Sequence, residues 1–81
     1  MNLMDTVELM NSSDYKDRFK AEYLQTKVRY DKLHKMIVKF EAGTLDFEPV
    51  CPIDLLKAQE NAMGMYLYTL EVRAEVEKIV L

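Results

Sequence analysis

Tyr15, Arg18, Glu22, Gln25, Arg29 and Lys32 recur at spacings of three and four. On a helix of 3.6 residues per turn this places them on one polar ridge. An aromatic ring at one end, with guanidinium and ammonium groups along the rest, is the set that stacks on a base and pairs with phosphates. The same residues can also form a solvated basic face that needs no ligand, with Glu22 in internal ion pairs. A further cation, Arg73, interrupts an apolar stretch between Leu70 and Val76. An arginine there needs an anion, supplied either by Glu22, Glu71 or Glu77 or by a ligand phosphate.

Catalytic chemistry has little to stand on. The single histidine, His34, lies beside Leu33 among Lys32 and Lys35, with no second histidine and no carboxylate four residues on. It reads as a surface residue and not as a metal ligand. The single cysteine, Cys51, precedes Pro52 in an apolar loop and reads as a structural, half-buried thiol. Gly43 and Gly64 are too far apart for a phosphate loop, and the carboxylates scatter along helix faces. The chain is therefore read as a binding protein, with no catalytic residue, no metal and no cofactor.

Long helices must position these groups. Residues 14–41 carry Phe19, Tyr23, Thr26, Tyr30, Leu33, Ile37 and Phe40 at alternating spacings of four and three. A helix of that length rises about 42 Å, so its seam requires a second long helix. Residues 3–10 read as a short amphipathic helix with Leu3, Met4, Val7 and Met10 on one side. Asn11, Ser12 and Ser13 break it and supply the cap of the long helix. Gly43 terminates the long helix, and a loop over 42–51 is expected to fold Leu45, Phe47 and Val50 back on the hairpin.

Pro52 opens the last helix as its first helical residue, with Asp54 in the first turn. That helix, 52–80, repeats Leu55, Ala58, Ala62, Met65, Thr69, Val72, Val76 and Ile79, with Leu56, Met63, Tyr66 and Leu70 in a neighbouring row. Lys57, Asn61, Gly64, Tyr68, Glu71, Glu75 and Lys78 form its polar stripe. Seventeen of the thirty residues from Pro52 to Leu81 are apolar, too many for one partner helix to cover. The expectation is an all-α fold: an antiparallel two-helix hairpin with a short N-terminal helix, whose last helix is buried once within the protomer and once against another copy, giving a homo-oligomer. Tyr23, Tyr30, Tyr66 and Tyr68 are read as core and interface filler. The Thr26 hydroxyl either bonds its own backbone or lines a pocket between protomers.

Composition sets the outer bounds. Eighty-one residues with 49% hydrophobic and 31% charged side chains allow one globular domain spanning 1–81. One cysteine forbids an intrachain disulfide, and no signal-peptide core or 18-residue apolar run is present. A soluble, intracellular protein is expected, without a membrane partner. The net charge of -3 argues against DNA or RNA polymers as partners. Its distribution is uneven, since residues 14–41 hold eight Lys and Arg against five Asp and Glu. A basic element in an acidic protein suits a small, defined anion.

Ser13, Asp14, Tyr15, Arg18 and Glu22, followed by Lys32-Leu33 and Phe40 and by Tyr66, Leu70 and Arg73, give an order that resembles a phage family. These are the small helical-hairpin proteins used against CBASS immunity, a domain also found in a sponge that blocks Thoeris defence. The resemblance covers about residues 12–78. It implies a non-enzymatic sponge in the host bacterial cytoplasm: a homohexamer that sequesters cyclic di- and trinucleotides before they reach their effectors. In that family a tyrosine at the start of the long helix stacks on a base, a position that Tyr15 matches. A lysine further along reaches phosphates, with different protomers contributing; Lys27, Arg29 and Lys32 are available, and Arg29 and Lys32 share the ridge of Tyr15 and Arg18. An arginine of the last helix serves a separate trinucleotide site, for which Arg73 is the candidate. Residues 1–11 lie outside the family pattern, and Met4 to Met10 could pack beside Tyr15. The competing reading is an oligomeric helical adaptor or structural phage protein whose basic ridge meets an acidic protein surface.

Overall fold

The computed structural model describes residues 3–81, so the first two positions of the N-terminal segment lie outside it. Among the described residues all regular structure is helical. A 3₁₀ turn, Leu3–Thr6, runs into α1, Val7–Met10, followed by α2, Tyr15–Ala42, and α3, Ile53–Glu77. α2 and α3 pair antiparallel as a hairpin, and the N-terminal segment packs on α2. The molecule measures 43 × 25 × 17 Å, its long dimension set by α2, whose 28 residues rise about 42 Å.

The helix ends explain themselves chemically, although the cap differs from the expectation. Asp14, and not the Asn11–Ser13 run, caps α2, its carboxylate accepting from the Lys16 N–H at 2.9 Å. Ser12 buttresses this cap from outside, accepting from the Asp14 N–H at 3.0 Å and donating to Asp17 Oδ2 at 2.9 Å. A carboxylate beside the orphan N–H groups also favours the helix dipole, which gives Asp14 the advantage over a serine. Gly43 ends α2 at φ 76°, with its N–H on the Phe40 carbonyl and the Thr44 N–H on the Lys39 carbonyl. That pair of bonds is the left-handed C-terminal motif that glycine adopts without steric cost. Pro52 is the residue before the first turn of α3 and not part of it, since its extended ψ of 138° leaves its carbonyl to accept from Leu55 and Leu56.

α2 uses the expected seam. Phe19 and Ile37 are buried and Tyr23, Thr26, Tyr30 and Leu33 half-buried, while Phe40 at the loop end stays exposed. α3 does not. The side that meets α2 carries Leu56, Glu60, Met63, Leu67, Leu70 and Ala74, with Leu67, Leu70 and Ala74 fully inside. The row Leu55, Ala58, Ala62, Met65, Thr69, Val72 and Val76 lies on the opposite side of the helix and faces outward. Two apolar rows of similar strength exist on α3, and periodicity alone does not rank them. Geometry also turns part of the expected polar stripe inward: Gly64 lies against the Tyr30 ring, and Glu71 accepts from the Tyr23 hydroxyl at 2.7 Å.

The core is short. Phe19, Leu70, Ala74 and Ile79 form its main cluster, with Tyr23 packed against it. Ile79 explains why α3 stops at Glu77 and not near residue 80. Lys78 turns left-handed at φ 58°, the Ile79 N–H bonds the Ala74 carbonyl at 2.8 Å, and the Ile79 side chain folds into the cluster. Burying an isoleucine contributes about 1.5–3 kcal/mol, enough to offset the roughly 1 kcal/mol cost of a left-handed non-glycine residue.

The N-terminal segment and the hairpin loop depart from expectation. Thr6 is the fully buried residue of the segment, while Met4, Val7 and Met10 remain largely exposed. The Thr6 hydroxyl donates to the Leu3 carbonyl at 2.7 Å and accepts from the Gln25 amide at 3.0 Å, so a polar contact ties the segment to α2, while Leu3 and Leu9 are half-buried. Of Leu45, Phe47 and Val50, only Leu45 is half-buried. Phe47 and Val50 point to solvent, because ten residues between the helices are more than the hairpin needs to cover.

Candidate functional site

Tyr15 and Arg73 meet at the open end of the hairpin. The Tyr15 hydroxyl donates to Glu77 Oε1 at 2.9 Å and accepts from Arg73 Nη2 at 2.7 Å. Arg73 Nε donates to Glu77 Oε2 at 3.1 Å, one turn along α3. The three side chains thus close a ring of hydrogen bonds. The Arg73 guanidinium lies 5.0 Å from the centroid of the Phe19 ring, and Tyr15 leans on the same ring at 6.2 Å with a 60° tilt. The hydrogen bond to Glu77 is the main reason the Tyr15 hydroxyl holds its proton more tightly than usual. The same carboxylate raises the Arg73 pKa further. Both groups remain exposed, so a ring face and a guanidinium edge are offered side by side.

The remaining polar contacts between α2 and α3 form a ladder down the hairpin. Tyr66 donates to Glu22, Tyr23 donates to Glu71, His34 Nδ1 lies 3.0 Å from Glu60, and Lys57 pairs with Glu41 at the loop end. Burial, reinforced by Glu71, pushes the Tyr23 hydroxyl up to about 12. His34 stacks on Tyr30 with centroids 5.9 Å apart. Its imidazole makes these contacts from an exposed surface position. Thr26 bonds its own helix through the Glu22 carbonyl at 2.9 Å, the first of its two expected alternatives.

The predicted ridge does not survive as one continuous surface. Glu22 is taken by Tyr66, Gln25 is covered by Thr6 and Met10, and Arg18 donates to the Ser12 carbonyl at 3.0 Å. Lys27 pairs with Asp31 at 3.2 Å and lies over the Tyr30 ring. Arg29 and Lys32 are exposed, without an ion-pair partner among the described residues. Lys32 borders a groove with Leu24, Lys27, Val28, Asp31 and Lys35. Fourteen residues separate Tyr15 from Arg29, about 21 Å along the helix axis, and Lys32 lies about 26 Å away. A dinucleotide on Tyr15 of one protomer is out of reach of either cation in the same protomer. Glu77 was visible in sequence only as one of three possible partners of Arg73. Its contact with Tyr15, 62 positions away, depends on the hairpin register.

Among the described residues, no group of three or more His, Cys, Asp or Glu side chains is placed to hold a metal ion, and no helix is long and apolar enough to cross a membrane. No curated protein and no solved structure matches the chain. Residues 13–76 match the family described as Sequestin, and the chain belongs to that family. The match spans nearly the stretch over which the sequence resembles the phage sponges, and it leaves the Thr6 segment outside.

Proposed function

We propose that this Sequestin family member is a phage counter-defence protein that binds cyclic di- and trinucleotide immune signals in the host bacterial cytoplasm, holds them intact and so inhibits CBASS-type immunity. The family name speaks of sequestration. The observation that carries the reading to a nucleotide is the exposed Tyr15 ring beside the Arg73 guanidinium. A planar aromatic face accepts a base of any sequence, and a guanidinium edge accepts phosphate oxygens in pairs.

In this proposal Tyr15 stacks on a base while Arg29 or Lys32 of another protomer reaches a phosphate, because the distance along α2 forbids both contacts from one copy. Arg18, one turn from Tyr15, adds positive charge at the same end of the helix. Arg73 provides the phosphate contact for trinucleotides. The assembly is a homohexamer, joined through the outward row of α3. Inhibition by a sponge is stoichiometric and needs no chemical step, which suits a chain whose Glu22, Glu60, Glu71 and single histidine are engaged in helix pairing.

Isothermal titration of the purified assembly with cyclic GMP-AMP and with a cyclic triadenylate tests this, followed by heat release and chromatography of the nucleotide. Saturable binding and intact recovery are expected. Linear or monomeric products would indicate an enzyme. Absence of binding together with capture of an acidic protein partner would favour the adaptor reading.

A further inference from the structure

The outward row of α3 is uneven along its length. Its first half carries the small residues Ala58 and Ala62, its middle Met65 and Thr69, and its second half the branched Val72 and Val76, all exposed in one protomer. The Thr69 hydroxyl donates to the Met65 carbonyl of its own helix at 2.9 Å, so its polar group is already satisfied within the row. A face that is small at one end and large at the other is complemented by its own reverse. A second α3 running in the opposite direction supplies that shape.

The spacings of three and four alternate between the two core positions of a heptad, and in an antiparallel pair a residue of one kind faces one of the other. Ala58 then meets Val76 of the second copy, Ala62 meets Val72 and Met65 meets Thr69, each contact occurring twice about a two-fold axis midway between Met65 and Thr69. A parallel pair would instead set Ala58 on Ala58 and Val76 on Val76, loose at one end and crowded at the other. Sliding the antiparallel pair by one heptad would pair Ala58 with Thr69 and leave Val76, 76% exposed, uncovered.

The groups beside the row fit the same arrangement. Tyr68 is exposed, and its hydroxyl has no hydrogen-bond partner among the described residues. In this register the two Tyr68 rings share one flank and lie within about 3 Å of the same level, placed to pack on each other. Glu75, on that flank too, has no ion-pair partner among the described residues, and Lys57 of the second copy comes opposite it with a similar offset. Lys57 bonds Glu41 of its own chain and keeps further N–H donors for a second carboxylate. Opposed helix directions also set the two dipoles favourably.

We propose that the outward row of α3 binds a second copy of this chain antiparallel across a two-fold axis, with Ala58 against Val76, Ala62 against Val72 and Met65 against Thr69. This rests on the assembly described under the function above and adds the partner element, its direction and its register. The interface is self-complementary, so the assembly is built from pairs and contains an even number of protomers.

Cysteine cross-linking of the intact chain, with Cys51→Ser as the background, reads the register directly. Positions 62 and 72 are about 15 Å apart along one helix, too far for a disulfide within a chain. About the same distance separates each from its own equivalent across the two-fold axis. Under mild oxidation, Ala62→Cys alone and Val72→Cys alone should each stay at 9.5 kDa on a non-reducing gel, while the chain carrying both should move to twice that mass. Cross-linking of either single variant would overturn the antiparallel direction. An unlinked double variant that remains oligomeric by light scattering would overturn the register. Where a cysteine disturbs assembly, exchange of size across the seam makes the same test. Val72→Ala should raise the dissociation constant at least about tenfold, and adding Ala62→Val should recover most of that loss. Absence of recovery would overturn the pairing of these two positions. A monomeric wild type would remove the interface altogether. None of these readouts uses a nucleotide, so a failure here is distinguished from a failure of cyclic-nucleotide binding.

Discussion

Met65→Glu should dissociate the assembly and leave the hairpin folded. Met65 occupies the middle of the outward row of α3, where Leu55, Met65, Val72 and Val76 are 61%, 68%, 45% and 76% exposed within one protomer. Full burial of such a side chain contributes about 1.5–3 kcal/mol. Covering the exposed fractions of the four would therefore contribute about 4–7 kcal/mol per protomer. Association costs at least about 4 kcal/mol in lost freedom, so the margin is narrow, and one glutamate without a partner in the seam costs several kcal/mol and reverses it. The hairpin itself should survive, because Met65 points away from the cluster of Phe19, Leu70, Ala74 and Ile79. Light scattering coupled to size exclusion at micromolar concentration should give a multiple of 9.5 kDa for the wild type and the monomer mass for the variant. Circular dichroism should show the same helix content in both. A wild-type mass of 9.5 kDa, or an unchanged oligomer in Met65→Glu, would refute the assignment of this row to an interface.

Tyr15→Ala removes the stacking ring as well as the hydroxyl, and should weaken cyclic GMP-AMP binding by about 5- to 150-fold in titration calorimetry. The alkaline limb of stability should depend on Tyr23, whose folded pKa of about 12 exceeds the ordinary value of 10. The folded state keeps its proton where the unfolded state releases it, so this contribution is intact below pH 10 and is lost as pH rises towards 12. Tyr15 and Tyr66 shift in the same direction, so Tyr23→Phe should flatten the fall in melting temperature over that window without abolishing it. Lys78→Gly should raise stability by up to about 1 kcal/mol by relieving the left-handed backbone at φ 58°. An unchanged or lower melting temperature would show that strain at this position is absorbed elsewhere.

The helical hairpin was legible because both long helices carry apolar residues at spacings of three and four, and Gly43 and Pro52 mark the break between them. The Phe19, Tyr23 and Ile37 seam of α2 was legible for the same reason. Which apolar row of α3 meets α2 was not. Leu55/Met65/Val76 and Leu56/Met63/Leu70 have equivalent spacing, and the choice is made by side chains on the other helix, such as Tyr30 against Gly64. The candidate site was half legible. Tyr15 and Arg73 were singled out individually, whereas their contact depends on a register set by the length of the loop and the core around Ile79. The interruption of the ridge at Gln25 was hidden because the contact is polar: Thr6 offers no apolar periodicity to read.

Capture of cyclic nucleotides without altering them is the role proposed for this small acidic hairpin protein. Its most direct test is titration calorimetry of the purified assembly against cyclic GMP-AMP and cyclic triadenylate, with the nucleotide recovered by heat release and identified by mass. Saturable binding of both classes at a fixed ratio to protomers and full recovery of unmodified ligand are expected. No heat of binding with either class, or recovery of hydrolysed products, would contradict it.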